Sequence, residues 1–459
     1  MASTTTTDPE HHHHTFSSIG KAGKSSGEIE GMDLPLLNGS RHSEKYSVAA
    51  AVFPFLFPAL GGLLYGFDIG ATSSATINIK SPTFSGVSWY DLSSVQVGLI
   101  TSGSLYGALL GSILAFSVAD FLGRRRELMV SATSYIIGAL ITTFAPNFAI
   151  MVVGRIIYGI GIGLAMHAAP MYIAETAVSH IRGRLISLKE FFIVTGMVLG
   201  YVIGSLLVEV KGGWRFMYAT SIPFAVAMGI GMWWLPCSPR WILLRAMQGK
   251  GDMRDLREQS IQCVRRLRGE ELLDDSASQE VEEILAELSY INEENEATFG
   301  EMFQGKCLKA LIIASIFQTA GFAAASDATK ASILLGLLKL IMTGVAVMVV
   351  DKLGRRPLLL GGVSGMVVSL FLMGSFYTYL GNIPAVAVTA LLLYVGCYQI
   401  SFGPIGWLMI SEIFPLRLRG RGLSLAVLVN FGANAIVTFA FSPLETLLGQ
   451  GYCSSYSEG

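Results

Sequence analysis

"DFLGRRR" at residues 120–126 returns as "DKLGRRP" at 351–357. Each copy closes a long apolar run with an acid, a glycine and paired arginines. A second pair follows in the same order: Glu175 with "RGR" at 182–184, then Glu412 with "RGR" at 419–421, both displaced by one and the same interval. Two matched pairs in one order mark an internal duplication. Each half sets one acidic–basic cluster after its second apolar run and another after its fourth. Parallel repeats about an axis along the membrane normal are one architecture of polytopic membrane proteins.

Outward from these clusters the chain is apolar. Hydrophobic residues make up 52% of it and charged residues only 14%, with a mean hydropathy of +0.55; soluble domains carry about 25% charged residues. A bilayer span needs about 20 apolar residues, and runs of that kind are read at 49–72, 95–118, 128–146, 149–173, 187–208, 214–235, 331–350, 358–379, 384–410 and 423–442. An eleventh, Ala310 to Ala325 in "KALIIASIFQTAGFAAASD" (309–327), reaches about 24 Å at 1.5 Å per residue, short of a hydrocarbon core of about 30 Å. Lipid offers no partner for an open strand edge, and these runs are about twice the length of a barrel strand. The fold class expected is therefore an all-α polytopic membrane protein of two six-helix pseudo-repeats, here with about ten or eleven spans.

Charge placement orients it. Loops at 119–127, 180–189, 237–309, 351–357 and 411–421 are basic, whereas those at 73–94, 146–148, 209–213 and 380–383 carry few or no Lys or Arg. The positive-inside rule puts the basic set and the N-terminus in the cytosol. The expected organisation is a disordered cytosolic tail (1–47), a six-helix bundle (48–236), a charged helical linker (237–308), an incomplete second bundle (309–443) and a polar tail (444–459). For the basic loop at 351–357 to be cytosolic, the short run must cross. Set against the first half, the second is short at both ends, with residues missing near Ala314 and room for one span after Arg421. The five cysteines form no CxxC pair and lie far apart, so neither a disulfide framework nor a metal site is expected.

Three groups of residues carry candidate chemistry. Asp68 in "LLYGFDIGATSSA" and Arg155 in "VVGRIIYGIGIG" interrupt apolar runs; either alone in hydrocarbon costs at least ~2.5–3.5 kcal/mol, so they should pair. Protonating a carboxylate breaks such a pair, which is the switch a proton-coupled carrier needs; a static packing pair is the plainer reading. Tyr398, Gln399, Trp407, Asn430 and Asn434 offer amides and an aromatic face to a polyol, or else act as helix–helix glue. Glu190 and Lys339 lie close enough to an interface to snorkel. Asp120, Arg124, Arg125, Glu175, Arg182, Arg240, Asp351, Arg355, Arg356, Glu412 and Arg419 form a candidate gating network of ion pairs between cytosolic helix ends, with topology signalling as the plainer role. Neither GxxxxGK[ST] nor HExxH is present, so an ATP-driven pump or a metalloprotease has no support.

"GGLLYGFDIG", "ADFLGRRR", "GRIIYGIGIGLAMHAAPMYIAETAVSHIRGR", "LPCSPRW", "DKLGRRP" and "GPIGWLMISEIFPLRLRGRG" together resemble the sugar porter family of the major facilitator superfamily. Within it, the chain is similar to the plant D-xylose–proton symporter-like and vacuolar glucose transporter-like proteins. The resemblance implies monosaccharide transport by alternating access, with the sugar near the midplane, no enzyme activity, and no cofactor beyond the proton as coupling ion. It makes Asp68 the proton-coupling acid and Arg155 its partner, and places Trp407 and Asn434 at sugar-contacting positions, with Glu190, Gln399 and Asn430 completing the candidate site. The partners it implies are a hexose or pentose, glucose or xylose, and the bilayer, with no nucleic acid. It favours the vacuolar membrane over the plastid envelope or plasma membrane.

The departures are as specific as the matches. The family's usual Pro-Glu-Ser-Pro-Arg reads "PCSPR" at 236–240, and two usual glutamines of the fifth span are Glu190 and Met197. The seventh span usually holds a Gln-Gln pair and paired tyrosines that bind sugar, and "KALIIASIFQTAGF" has neither. The function expected is a proton-coupled monosaccharide transporter, its activity open to impairment by these losses. The alternatives are a non-transporting sugar sensor or regulator, an inactive isoform, and a facilitator without proton coupling.

Overall fold

Gly123 and Gly354 occupy equivalent places in the two repeated heptads, and both adopt positive φ, 80° and 83°. That left-handed turn is open to glycine at no steric cost. In each copy it ends one helix and starts the next, so the paired arginines open a helix at the mouth of the bundle. The computed structural model describes residues 48–178, 181–268, 274–292, 329–379, 384–413 and 419–456, all within one compact unit. The N-terminal tail and the short run at 309–327 lie outside the described residues.

The described elements are all helices. In chain order they are α1 (Val48–Lys80), α2 (Ser94–Leu122), α3 (Arg124–Thr143), α4 (Phe148–Thr176), α5 (Arg182–Leu207), α6 (Gly213–Ala219), α7 (Ser221–Trp234), α8 (Pro239–Met247), α9 (Met253–Arg268), α10 (Asp274–Asn292), α11 (Thr329–Leu353), α12 (Arg355–Tyr379), α13 (Pro384–Ile413) and α14 (Arg419–Tyr456). Among the described residues nine segments are long and apolar enough to cross a membrane, α6 and α7 forming one of them. The run expected at 128–146 is not in that set: α3 is helical, but Arg124, Arg125, Arg126 and Glu127 fill its first turn. A second difference lies at the end of the chain. The helix expected to stop near 442 continues as α14 to Tyr456, through most of the segment read as a polar tail.

Helix starts follow local chemistry. Ser93 caps α2 in a reciprocal box with Gln96, and the Asn147 side chain caps α4; both side chains satisfy backbone N–H groups that the first turn leaves unpaired. Pro239 opens α8, where its missing N–H costs nothing.

The first repeat packs through glycine. A Cβ on Gly66 would run into the carbonyl of Ile193, and one on Gly196 into that of Leu63, so α1 and α5 lie backbone to backbone. Gly107 and Gly159 do the same for α2 and α4. Without a hydrophobic driving force between helices in lipid, such close approach is what holds spans together. The repeats then meet along two seams, α14 against α2 and α11 against α5. Outside the bundle α8, α9 and α10 share a small core of Leu243, Val264, Ala277, Val281 and Leu288, so the expected linker begins as an ordered helical cap.

Candidate functional site

The tight α2–α4 contact brings Ser104, Asp68 and Arg155 together. Arg155 Nη1 pairs with Asp68 Oδ1. Ser104 Oγ donates to Asp68 Oδ2 at 2.7 Å and accepts from Arg155 Nη2 at 3.0 Å, while Arg155 Nε donates to the Ile100 carbonyl at 3.1 Å. The guanidinium lies 5.3 Å from the centroid of the Tyr218 ring. Asp68 is 4% exposed and Arg155 1%, so the pair expected from the sequence forms and is dry. A proton arriving at Asp68 removes the charge that balances Arg155, and an unbalanced buried guanidinium then favours any movement that finds it another partner.

The second cluster lies where α5 meets α11 and α13. Gln399 of α13 donates to Glu190 Oε1 at 3.5 Å. The Glu190 carboxylate feels the charges of both Lys189 and Lys339. Lys189 Nζ stands 3.2 Å from the centroid of the Trp407 ring. Glu190 and Lys339 are both half-buried, near enough for opposite charge to be felt between them. On α14 Asn434 Nδ2 donates to Asn430 Oδ1 at 3.1 Å, and both are buried. Phe431, between them, meets the Tyr65 ring edge-on at 5.6 Å, in the same core as Trp407. The arrangement presents amides, a carboxylate and aromatic faces from four helices, as a small polyol would require.

The basic face holds the third group. Arg124 Nε lies 3.1 Å from Glu175 Oε1, joining the start of α3 to the end of α4 as expected. Among the described residues Arg125 donates to the carbonyls of Met232 and Trp233 and to the Cys237 sulfur, the position where an acid was lost from the usual motif. Arg240 of α8 pairs with Glu287 of α10 at 3.2 Å, an ion pair within the cap. Arg182 and Arg355 are each engaged, and Arg356 is exposed. Asp120, Asp351, Glu412 and Arg419 stand at helix ends, and their side chains lie outside the described set.

A single family pattern covers this arrangement: that described as "Sugar (and other) transporter" matches residues 55–457. The chain belongs to this sugar transporter family. It is 67% identical to "D-xylose-proton symporter-like 2" of Arabidopsis thaliana, over 94% of this chain and 89% of that protein. It is 57% identical to "D-xylose-proton symporter-like 3, chloroplastic" of the same plant, over 88% and 77%. Among solved structures it is similar to the major facilitator superfamily proton:xylose symporter XylE of E. coli bound to 6-bromo-6-deoxy-D-glucose, with a TM-score of 0.73, 29% identity, and coverage of 87% and 90%. The family is one of membrane carriers rather than enzymes, and the two-repeat major facilitator fold is that of its solved member.

Three features of this transporter escaped sequence reasoning. Lys189 was counted with a basic loop, yet it is fully buried; the signal was "LKEFF", an acid–base dipeptide already inside an apolar helix. Glu127 and His167 form a buried pair 2.7 Å apart, and nothing in the spacing of α3 and α4 announces it. Arg268 of α9 grips Glu280 at 2.6 Å and the Thr176 carbonyl at 3.0 Å, so the cap also holds the end of α4.

Proposed function

We propose that this sugar transporter is a proton-coupled carrier of a monosaccharide, xylose or glucose, working by alternating access. The buried Asp68–Arg155–Ser104 network carries the reading: it is a protonatable ion pair with both carboxylate oxygens bound, linking three helices, α1, α2 and α4. Glu190, Gln399, Trp407, Asn430 and Asn434 form the sugar site, and the arginine pairs of the basic face hold the cytosolic gate. The first bundle (48–236), the cap within 237–308 and the second bundle from 309 are the moving parts. The names of the relatives support xylose; the solved relative was seen with a glucose derivative. The vacuolar membrane is the favoured location, with the plastid envelope next because one relative's name is chloroplastic.

The test is uptake of labelled xylose and glucose into proteoliposomes under an imposed pH gradient. Gradient-driven uptake that disappears in Asp68→Asn is expected. No uptake above empty liposomes, by protein shown to be folded, would overturn the reading. A second reading, a sugar-binding regulator without flux, is favoured by one observation: the family's seventh-span Gln-Gln pair is absent from "KALIIASIFQTAGF". Sugar binding by calorimetry with no flux would establish it.

A further inference from the structure

Two buried side chains that the transport site does not use sit where the repeats meet on the basic face. His167 of α4 is 0% exposed and Glu127 of α3 1%. His167 Nδ1 lies 2.7 Å from Glu127 Oε1, and Nε2 lies 3.2 Å from the carbonyl oxygen of Gly420, in the first turn of α14. A carbonyl oxygen only accepts, so Nε2 carries a hydrogen. A neutral imidazole then turns a bare lone pair at Nδ1 toward a carboxylate oxygen, which also only accepts when ionised. At 2.7 Å those lone pairs repel. Both contacts stand together only with one more proton, present either as imidazolium against carboxylate or as imidazole against carboxylic acid.

We propose that His167 and Glu127 share a proton that latches α14 to α4, and that its loss releases the latch. Without the proton the ring can satisfy one neighbour only. As the Nδ1–H tautomer it keeps Glu127 and turns a lone pair to the Gly420 carbonyl, so the link between the repeats breaks. The proton leaves to water as this face opens. The inference rests on the transporter reading, since alternating access is what requires the repeats to part here. It is distinct from the coupling pair: His167 is roughly 18 Å along α4 from Arg155 at 1.5 Å per residue.

On the packed elements, Arg125 of α3 donates to backbone carbonyls of α7, Arg126 is exposed, and Glu190 of α5 accepts from Gln399. Arg124 of α3 holds Glu175 of α4, Asp68 of α1 holds Arg155, Lys189 of α5 lies over Trp407, Arg240 of α8 holds Glu287, and Arg421 of α14 is engaged. Asp120 of α2 and Arg419 of α14 have side chains outside the described set. Among the described residues Glu127 Oε2 has no hydrogen-bond partner.

The test uses the full chain in lipid nanodiscs, with no sugar. Solid-state NMR of ¹⁵N-histidine, assigned by loss of the signal in His167→Phe, reads the ring's protonation, and the carboxylic-acid stretch in the infrared reads Glu127. Hydrogen exchange of the first turn of α14, corrected for intrinsic rate, reads the latch. Exchange is expected to rise at least about tenfold from pH 6 to pH 8, one unit of proton linkage. Glu127→Gln keeps the latch without the extra proton, because its amide N–H donates to bare Nδ1; exchange there should stay low at both pH values. His167→Phe should exchange fast at both. A neutral His167 beside an ionised Glu127 while α14 is protected would overturn the proposal. So would a Glu127→Gln protein with the wild-type pH response, whether or not His167→Phe folds, and neither result bears on Asp68 coupling.

Discussion

Arg155→Gln and Asp68→Asn, made singly and together, probe the coupling pair most directly. Arg155 gives its Nη1 to Asp68, its Nη2 to Ser104 and its Nε to the Ile100 carbonyl. Removing the arginine leaves Asp68, 4% exposed, with the Ser104 hydroxyl as its one remaining partner in the network. Truncating one member of a buried pair costs about 3–5 kcal/mol, chiefly because the other charge stays behind uncompensated. Asp68→Asn should cost less, about 2–3 kcal/mol, since Arg155 retains three acceptors: the new amide oxygen, Ser104 Oγ and the Ile100 carbonyl. In the double variant no charge is left buried and two amides can bond, so the loss should shrink to about 1–2 kcal/mol. The coupling expected is thus at least about 3 kcal/mol, well above the ~0.5 kcal/mol within which independent sites add. Equilibrium unfolding in mixed micelles, followed by tryptophan fluorescence, measures all four proteins. If the two single losses simply sum in the double variant, the pair is not an interacting unit and cannot be the proton switch.

Three further outcomes are expected. Gly66→Ala should leave little folded protein on size exclusion because its Cβ meets the Ile193 carbonyl, whereas Gly361→Ala, exposed with open space around it, should stabilise α12 by up to about 1 kcal/mol; equal behaviour of the two would refute the glycine-contact account. Burial, with the Cys237 thiol nearby, pushes the Cys263 thiol up to about 11, against about 8.5 for a free cysteine. The folded protein therefore keeps this proton over that window, and the group's contribution to stability is lost as pH rises through it. Maleimide should label Cys263 roughly a hundredfold more slowly at pH 8 in native than in unfolded protein, and mass spectrometry finding equal rates would contradict this. Trp407→Ala should weaken sugar binding about tenfold by calorimetry, since the aromatic face for stacking is lost; unchanged affinity would move the sugar site away from α13.

What could be read from the sequence was whatever one segment records by itself. Gly123 and Gly354 announce their turns because no other residue takes that backbone cheaply, and Asp68 and Arg155 announce a pair because hydrocarbon tolerates neither alone. Lys189 could not be placed, because a lysine shortly after "RGR" looks like loop chemistry until α5 is seen to begin at Arg182 and bury it beside Trp407. Arg125 looked like half of an ion pair, but the motif acid is absent and backbone carbonyls of α7 take its place. His167 lay within a quoted signature and still went unassigned, since its two partners come from α3 and from the far repeat.

Both protonatable clusters engage α4, one at each end. Arg155 lies two turns into it, and His167 sits two turns before its close at Thr176. Between them α4 is pressed backbone to backbone against α2, where Gly159 and Gly163 leave no room for a Cβ. A helix packed that closely cannot carry a signal by bending locally; α2 and α4 must move as one body. Asp68 ties α1 to that body through both Arg155 and Ser104, and His167 ties the first turn of α14 to it. α14 also lies along α2, so the His167 contact is one part of the seam between the repeats on the basic face. Under the proposed transport reading, a proton held at His167–Glu127 opposes opening there even when Asp68 has already changed its charge, and that reading requires the two sites to act in order.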